Sequence, residues 1–216
     1  MRRILASVTA LAIVGTAPLW AQGGPSGPPG QRNASLITGG TYEADPDHTL
    51  VAWEIDHLGF SPYYGLFGDV SGTLQLDPTA PQNAKVAVTI PVANVTTASS
   101  GLTEHLLRAP KEEGGKPDFF GASPAPATFV STSVKPKGEG EADVTGNLTL
   151  NGVTKPVTLD VDFYGAGKMP AQMGGAENVG FEAETTIKRS DFGMGTMVPM
   201  LSDEVKLKIA AAFTKK

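Results

Sequence analysis

From Thr41 onward, apolar and polar residues alternate with a period of two, the spacing that sends successive side chains to opposite faces of an extended strand. Val51, Trp53 and Ile55 alternate with Ala52, Glu54 and Asp56; Val86, Val88, Ile90 and Val92 alternate with Lys85, Ala87, Thr89 and Pro91. The pattern returns in Val144, Gly146, Leu148 and Leu150, in Val157, Leu159, Val161 and Phe163, in Phe181, Ala183, Thr185 and Ile187, and in Val205, Leu207, Ile209 and Ala211. Each run predicts a strand with one apolar face and one solvated face, as in antiparallel sheets. Asp77-Pro78, Pro136-Lys137-Gly138, Asn151-Gly152 and Gly165-Ala166-Gly167 sit between such runs and carry turn chemistry, so neighbouring strands are expected to join as hairpins. About eight such strands can form a two-sheet sandwich or a closed barrel, and the pattern alone leaves both open.

One segment departs from this period. Leu102, Leu106 and Ala109 stand at helical spacing, Ser99 or Ser100 can cap the start and Pro110 can stop the end, which predicts one short helix over 99–109. The polar stretch Lys111 to Pro117 reads as an exposed loop before Asp118-Phe119-Phe120 returns toward the core.

Upstream, Met1-Arg2-Arg3 followed by the apolar run Ile4 to Val14 has the form of a cleaved secretory leader, residues 1–21, with cleavage after Ala21 or Ala17. Residues 22–39, rich in Gly, Pro, Ser and Gln, read as a disordered linker, and 40–216 as the folded domain. The expected compartment is the periplasm. With no cysteine, the chain has no disulfides, thiolate metal ligands, thiol nucleophile or lipid-bearing cysteine, so no stable membrane anchor is expected and the core alone must hold the fold. Formal net charge is −5 and becomes more negative once Arg2 and Arg3 are removed; with Lys and Arg scattered, nucleic acid is not an expected partner.

Catalytic and metal motifs are missing from the sequence. His48, His57 and His105 form no ligand motif, no serine stands in a Gly-x-Ser-x-Gly elbow, and no phosphate or dinucleotide loop opens a helix. Asp191-Phe192-Gly193 copies a kinase triplet without the motifs that give it a role. Asp160 and Asp162 fall on the outward face, and the sequons at Asn33, Asn94 and Asn147 matter only in a glycosylating host. Trp53, Phe129, Phe163 and Phe181 would fill the core of any sandwich. In a barrel of about eight strands they could instead line a space for one small ligand, with the helix and Phe119-Phe120 as cover. Small inward residues, with Ala87, Gly146 and Ala183 as candidates, would leave that space; parity between Gly65 and Gly72 is ambiguous, and a bulge at Gly68 could change it.

The ordered motifs resemble the YceI-like family of exported polyisoprenoid-binding proteins over Tyr42 to about Phe213. They are Tyr42-Glu43-Ala44-Asp45-Pro46-Asp47-His48-Thr49, Trp53-Glu54-Ile55-Asp56-His57-Leu58-Gly59, Gly65-Leu66-Phe67-Gly68, His105-Leu106, Asp118-Phe119-Phe120, Pro126-Ala127-Thr128-Phe129, and Arg189-Ser190-Asp191-Phe192-Gly193-Met194. The most specific is Gly146-Asn147-Leu148-Thr149-Leu150-Asn151-Gly152-Val153-Thr154-Lys155-Pro156-Val157, a strand, a turn and the next strand in fixed register. The resemblance implies an all-β, closed, eight-stranded antiparallel lipocalin-like barrel with a short helix across it, enclosing a long isoprenoid, quinone or other amphipathic lipid.

It brings no catalytic set, metal or cofactor, so a carrier rather than an enzyme is expected, with a homodimer as an open arrangement. The ligand-lining positions expected are Trp53, Ile55, His57, Phe67, Val88, Ile90, His105, Phe119, Phe129, Leu148, Leu159, Val161, Phe181, Phe192 and Ile209, with His57, His105 or Arg189 offering hydrogen bonds to a head group at the mouth. The competing readings are a barrel filled by its own side chains, serving structure or stress, and a lipid-modifying enzyme. Two departures from the family pattern stand out: residues 107–117 are long and the Arg usually placed before His-Leu is absent. Residues 168–177, with Met169 and Met173, form a further insertion near a hairpin tip.

Overall fold

The computed structural model describes residues 27–216, so the expected leader and its cleavage position lie outside the described residues. Ten strands follow one another: β1 (Gly40–Ala44), β2 (Leu50–His57), β3 (Ser61–Phe67), β4 (Ser71–Leu76), β5 (Lys85–Ile90), β6 (Ala127–Gly138), β7 (Glu141–Leu150), β8 (Val153–Lys168), β9 (Glu177–Lys188) and β10 (Glu204–Lys215), with helix α1 (Ser100–Leu106) between β5 and β6. All pairings are antiparallel, and β1 pairs with β10 as well as β4, which closes the sheet on itself. β10 meets β2 over Lys206 to Ala210 and β1 over Phe213 to Lys215, while β3 pairs with β2 and β4 with β1. β1 with β2, and β3 with β4, therefore each fill one position, and the ten segments make a closed eight-stranded barrel. Closure decides between the sandwich and barrel readings and leaves few edges exposed.

The two interruptions have local causes. Between β1 and β2 the chain turns at Asp45, whose carboxylate accepts the Asp47 N–H at 3.0 Å. Buried Thr49 then repairs the ladder, donating to the Ala212 carbonyl at 3.0 Å and accepting the Ala212 N–H at 3.1 Å. Between β3 and β4 the break falls at 68–70, with Asp69 at φ +53°, so Phe67 stays inward and Leu66 outward. Beyond this break β3 has a nearly free edge, held among the described residues by paired backbone hydrogen bonds between Leu66 and Thr96. α1, capped by the Ser99 hydroxyl, follows at once and ends at Leu106, short of Pro110, with the Leu106 carbonyl accepting the Phe120 N–H.

Asn151-Gly152 makes the expected two-residue turn, with φ of +51° and +76°, the left-handed pair that a type I′ hairpin requires. Two other turns fall elsewhere. Pro136 to Gly138 continues β6, and the chain reverses at Glu139-Gly140. Gly165-Ala166-Gly167 is no turn: it lies within β8, and a Cβ on Gly167 would stand 2.1 Å from the Pro29 carbonyl oxygen. Glycine there admits another backbone rather than a reversal.

That other backbone belongs to the segment expected as linker. Gln31 bridges Ala166, residues 34–36 form one 3-10 turn, Ile37 is buried, and Thr38 is fixed to Glu177 through its N–H at 2.9 Å. Residues 31–38 thus form a strap across one end of the barrel. The Thr38 N–H, then the Lys215 ammonium, the Thr38 hydroxyl and the Tyr42 phenol, hold the Glu177 carboxyl down at about 2, while burial, with Glu177 nearby, pushes the Tyr42 phenol up to about 12.

Packing is concentrated at the two ends. Ile37, Tyr42, Ala44, Leu74, Ala166, Val179 and Phe213 cluster beneath the strap. Ile187, Phe192 and Met194 cluster at the other end, against Phe120, Leu148, Leu150 and Val205.

Candidate functional site

Between these clusters the barrel is hollow. The cavity measures about 1380 Å³, larger than the roughly 300–1,000 Å³ of most small-molecule pockets. Its wall comes from every strand position, because each strand turns its period-two apolar face inward. The twelve residues of β10 imply a wall about 30 Å tall at a usual rise and tilt. The strap, through Arg32, Asn33, Ala34, Ser35 and Ile37, lines one end; α1 and Phe119-Phe120 line the other.

Trp53, Ile55, His57, Phe67, Val88, Ile90, His105, Phe119, Phe129, Leu148, Leu159, Val161, Phe181 and Ile209 all stand in this wall. Phe192 does not. β9 ends at Lys188 and the chain turns through a 3-10 segment, Arg189–Phe192, so Phe192 is packed into the end cluster, 1% exposed. Among the small residues, Ala183 lines the cavity and Ala87 faces solvent. Gly146 faces inward beneath an aromatic ring: a Cβ there would lie 2.4 Å from Cζ of Phe129. Gly65 does the same for Trp53, with a Cβ 2.1 Å from Cζ2. Tyr63 was not expected in the wall. Its signal is the alternation Tyr63, Gly65, Phe67 along β3, masked by apolar Tyr64 and Leu66 on the outer face.

Charge in the wall is confined to the ends: Arg32, Glu139 and Glu141 near the strap, His57, His105 and Arg189 near the helix. Arg189 is not available as expected to a head group. It is 5% exposed and donates to the carbonyls of Ser202, Met194, Thr196 and Leu201 at 2.5–3.0 Å, tying the loop after β9 to β10, and burial lowers its pKa. His105 Nε2 lies 3.2 Å from Asp118, which holds that carboxyl below its usual range, and packs edge-on to Phe119 at 5.4 Å. His57 is exposed at the β2–β3 hairpin. Among the described residues, no group of three or more His, Cys, Asp or Glu converges as a metal site.

The geometry defines a closed antiparallel barrel built around an apolar internal chamber. A YceI-like domain profile matches residues 42–213, and the chain belongs to that family. It is 43% identical over 172 residues to protein YceI of Salmonella arizonae, covering 78% of this chain and 84% of that protein. Among solved structures it is similar to BcnA of Burkholderia cenocepacia, with a TM-score of 0.63 and 27% identity over 78% of this chain and 98% of that one. It also shares its fold with a polyisoprenoid binding domain from Saccharophagus degradans, at a TM-score of 0.57 and 14% identity over 81% and 98% of the two chains.

Proposed function

We propose that this protein is a periplasmic carrier that takes the apolar chain of an isoprenoid-type lipid, polyprenyl or quinone-like, out of water and into the barrel. The observation that carries this reading is the chamber itself: about 1380 Å³ of space inside the barrel with an apolar wall, between two clusters of packed side chains. Each buried methylene contributes about 0.8 kcal/mol before ordering costs, so a chain of a few isoprene units suffices for firm binding without any reaction. The polyisoprenoid-binding relative in fold supports the ligand class, and the basic-then-apolar leader supports the compartment.

Transfer is assigned to the helix end. There Phe60, Met197 and Met200 are 86%, 48% and 61% exposed, and the Leu58 N–H is held by the Met200 carbonyl, an apolar rim suited to a lipid leaving a membrane; the opposite end is crossed by the strap. Native mass spectrometry of protein purified without detergent from its own host, followed by lipid extraction, tests the reading. A stoichiometric adduct that extracts as a prenyl lipid or quinone is the expected result, on a chain whose mass reports cleavage after Ala21 or Ala17. A bare mass together with no uptake of added prenyl lipid would refute it.

A further inference from the structure

At the helix end the wall of the chamber is not all sheet. β5 ends at Ile90 and β6 begins at Ala127, and past the Leu66–Thr96 pair the edge of β3 meets no strand among the described residues. The Leu66 N–H and carbonyl point away from β2 to reach Thr96, so those of Tyr64, two residues away, point the same way, and among the described residues they have no backbone partner. This sector is closed instead by residues 97–120, of which Thr97, Leu102, His105, Leu106, Phe119 and Phe120 line the chamber.

That segment is bound to itself. The Thr103 hydroxyl accepts the Thr97 N–H at 3.0 Å, the Ser99 hydroxyl caps α1, and the Leu106 carbonyl accepts the Phe120 N–H at 3.0 Å. His105 Nε2 lies 3.2 Å from the Asp118 carboxylate and the Lys111 ammonium 4.0 Å from it. Among the described residues, every hydrogen bond and ion pair made by residues 97–120 stays within that segment. No residue from Thr96 to Phe120 is buried, whereas Val95 and Gly121 on either side are. The helix has seven residues, too few to be stable in water by itself. Packing ties the segment to the barrel: the Phe120 ring stands edge-on to Phe67 at 5.7 Å and against the cluster of Ile187, Phe192 and Met194. Its two junctions are Thr96, paired with Leu66, and Gly121, at φ +81°.

Resting on the carrier reading above, we infer that residues 97–120 form a hinged flap, with Thr96 and Gly121 as hinges and Phe120 as catch, and that the apolar chain enters and leaves beneath it, sideways past the free edge of β3. A unit with no hydrogen bond to the barrel opens mainly at the cost of the packing around Phe120, whereas parting two paired strands breaks a ladder of hydrogen bonds. Lateral entry also spares a long chain from being threaded end-on past the packed cluster. Once inside, the chain covers the chamber side of Leu102 and Leu106, so loading favours the closed flap. The long stretch 107–117 lies wholly inside the flap and enlarges it.

The chain has no cysteine, so a double variant, Phe67→Cys with Phe120→Cys, can be joined by a thiol-bridging bimane and assayed with tritiated geranylgeraniol. Relative to the same variant unbridged, the bridged protein should take up and release the probe at least about tenfold more slowly. Phe120→Ala should speed uptake and release together, each about three- to tenfold, with Kd nearly unchanged, because the open form becomes more populated; loss of a wall contact alone would speed release only. Spin labels on Glu104→Cys and Tyr64→Cys leave the catch intact, and should give a broad distance distribution in the free protein that narrows on loading. Equal rates for bridged and unbridged protein, faster release with unchanged uptake in Phe120→Ala, or one narrow distance with and without the probe would each overturn the inference while the carrier reading stands. If the wild type takes up no geranylgeraniol, the carrier reading falls and the flap's role with it.

Discussion

Filling the chamber from its wall gives opposite outcomes for a hollow and a filled barrel. Ala183 on β9 lies between Val161 of β8 and Ile209 of β10, all three in the wall, and is 6% exposed. Ala183→Leu adds three carbons pointing into the chamber, which displace about three ligand methylenes. At about 0.8 kcal/mol each this is roughly 2.4 kcal/mol, or about fiftyfold in Kd. The folded protein without ligand loses nothing, because the added carbons bury themselves in free space, and its Tm should hold or rise. In a barrel already filled by side chains the same change overpacks the interior and costs about 1–3 kcal/mol, a fall of several degrees for a domain this size. The assay pairs thermal melting of delipidated protein by circular dichroism with titration of geranylgeraniol. A lowered Tm with unchanged affinity would refute the hollow-barrel reasoning.

Gly146→Ala should lower stability by about 1–3 kcal/mol, because its Cβ would meet the Phe129 ring at 2.4 Å and the Val130 carbonyl oxygen at 2.7 Å; urea unfolding measures this, and a neutral result would mean that Phe129 does not lie over Gly146. Glu177, held at about 2 in the folded protein against an ordinary 4.5, favours the folded state at neutral pH, an advantage lost as pH falls from about 5 toward 2. Glu177→Gln should therefore cost about 1–3 kcal/mol near neutrality and shrink the difference from wild type across that window, read from unfolding midpoints at stepped pH; a difference independent of pH would count against the strap's carboxylate anchor.

The strands and the lining were legible because the barrel wall obeys one rule: with period two, alternate residues along the middle of β5, β7, β8, β9 and β10 meet the chamber, and Val88, Leu159 and Ile209 could be placed by counting alone. Where a strand ended the count gave no guide: Phe192 was expected in the lining from the family resemblance alone, and the turn after Lys188 sends it into the end cluster. Composition misled in two places. The glycines and prolines of residues 22–39 were read as chain that cannot fold alone, yet within that stretch Gln31 gains partners from β8 and Ile37 a pocket among residues far along the chain. Gly165 and Gly167 carried turn chemistry but serve that close approach. Arg189 looked like a head-group donor because sequence cannot show four carbonyls converging on its guanidinium.

The strap also imposes an order of assembly. Thr38 and Glu177 are separated by 139 positions and Gln31 and Ala166 are nearly as distant, while β1 must await β10 to close the ring. Residues 31–44 are thus among the last to find their partners, and contacts of such long range make folding slow. A nascent chain of this topology stays open until its C-terminal strand has been made. That interval suits the proposed export: the polypeptide could be threaded across a membrane before any barrel exists to obstruct it, and under that proposal the chamber would be completed on the far side.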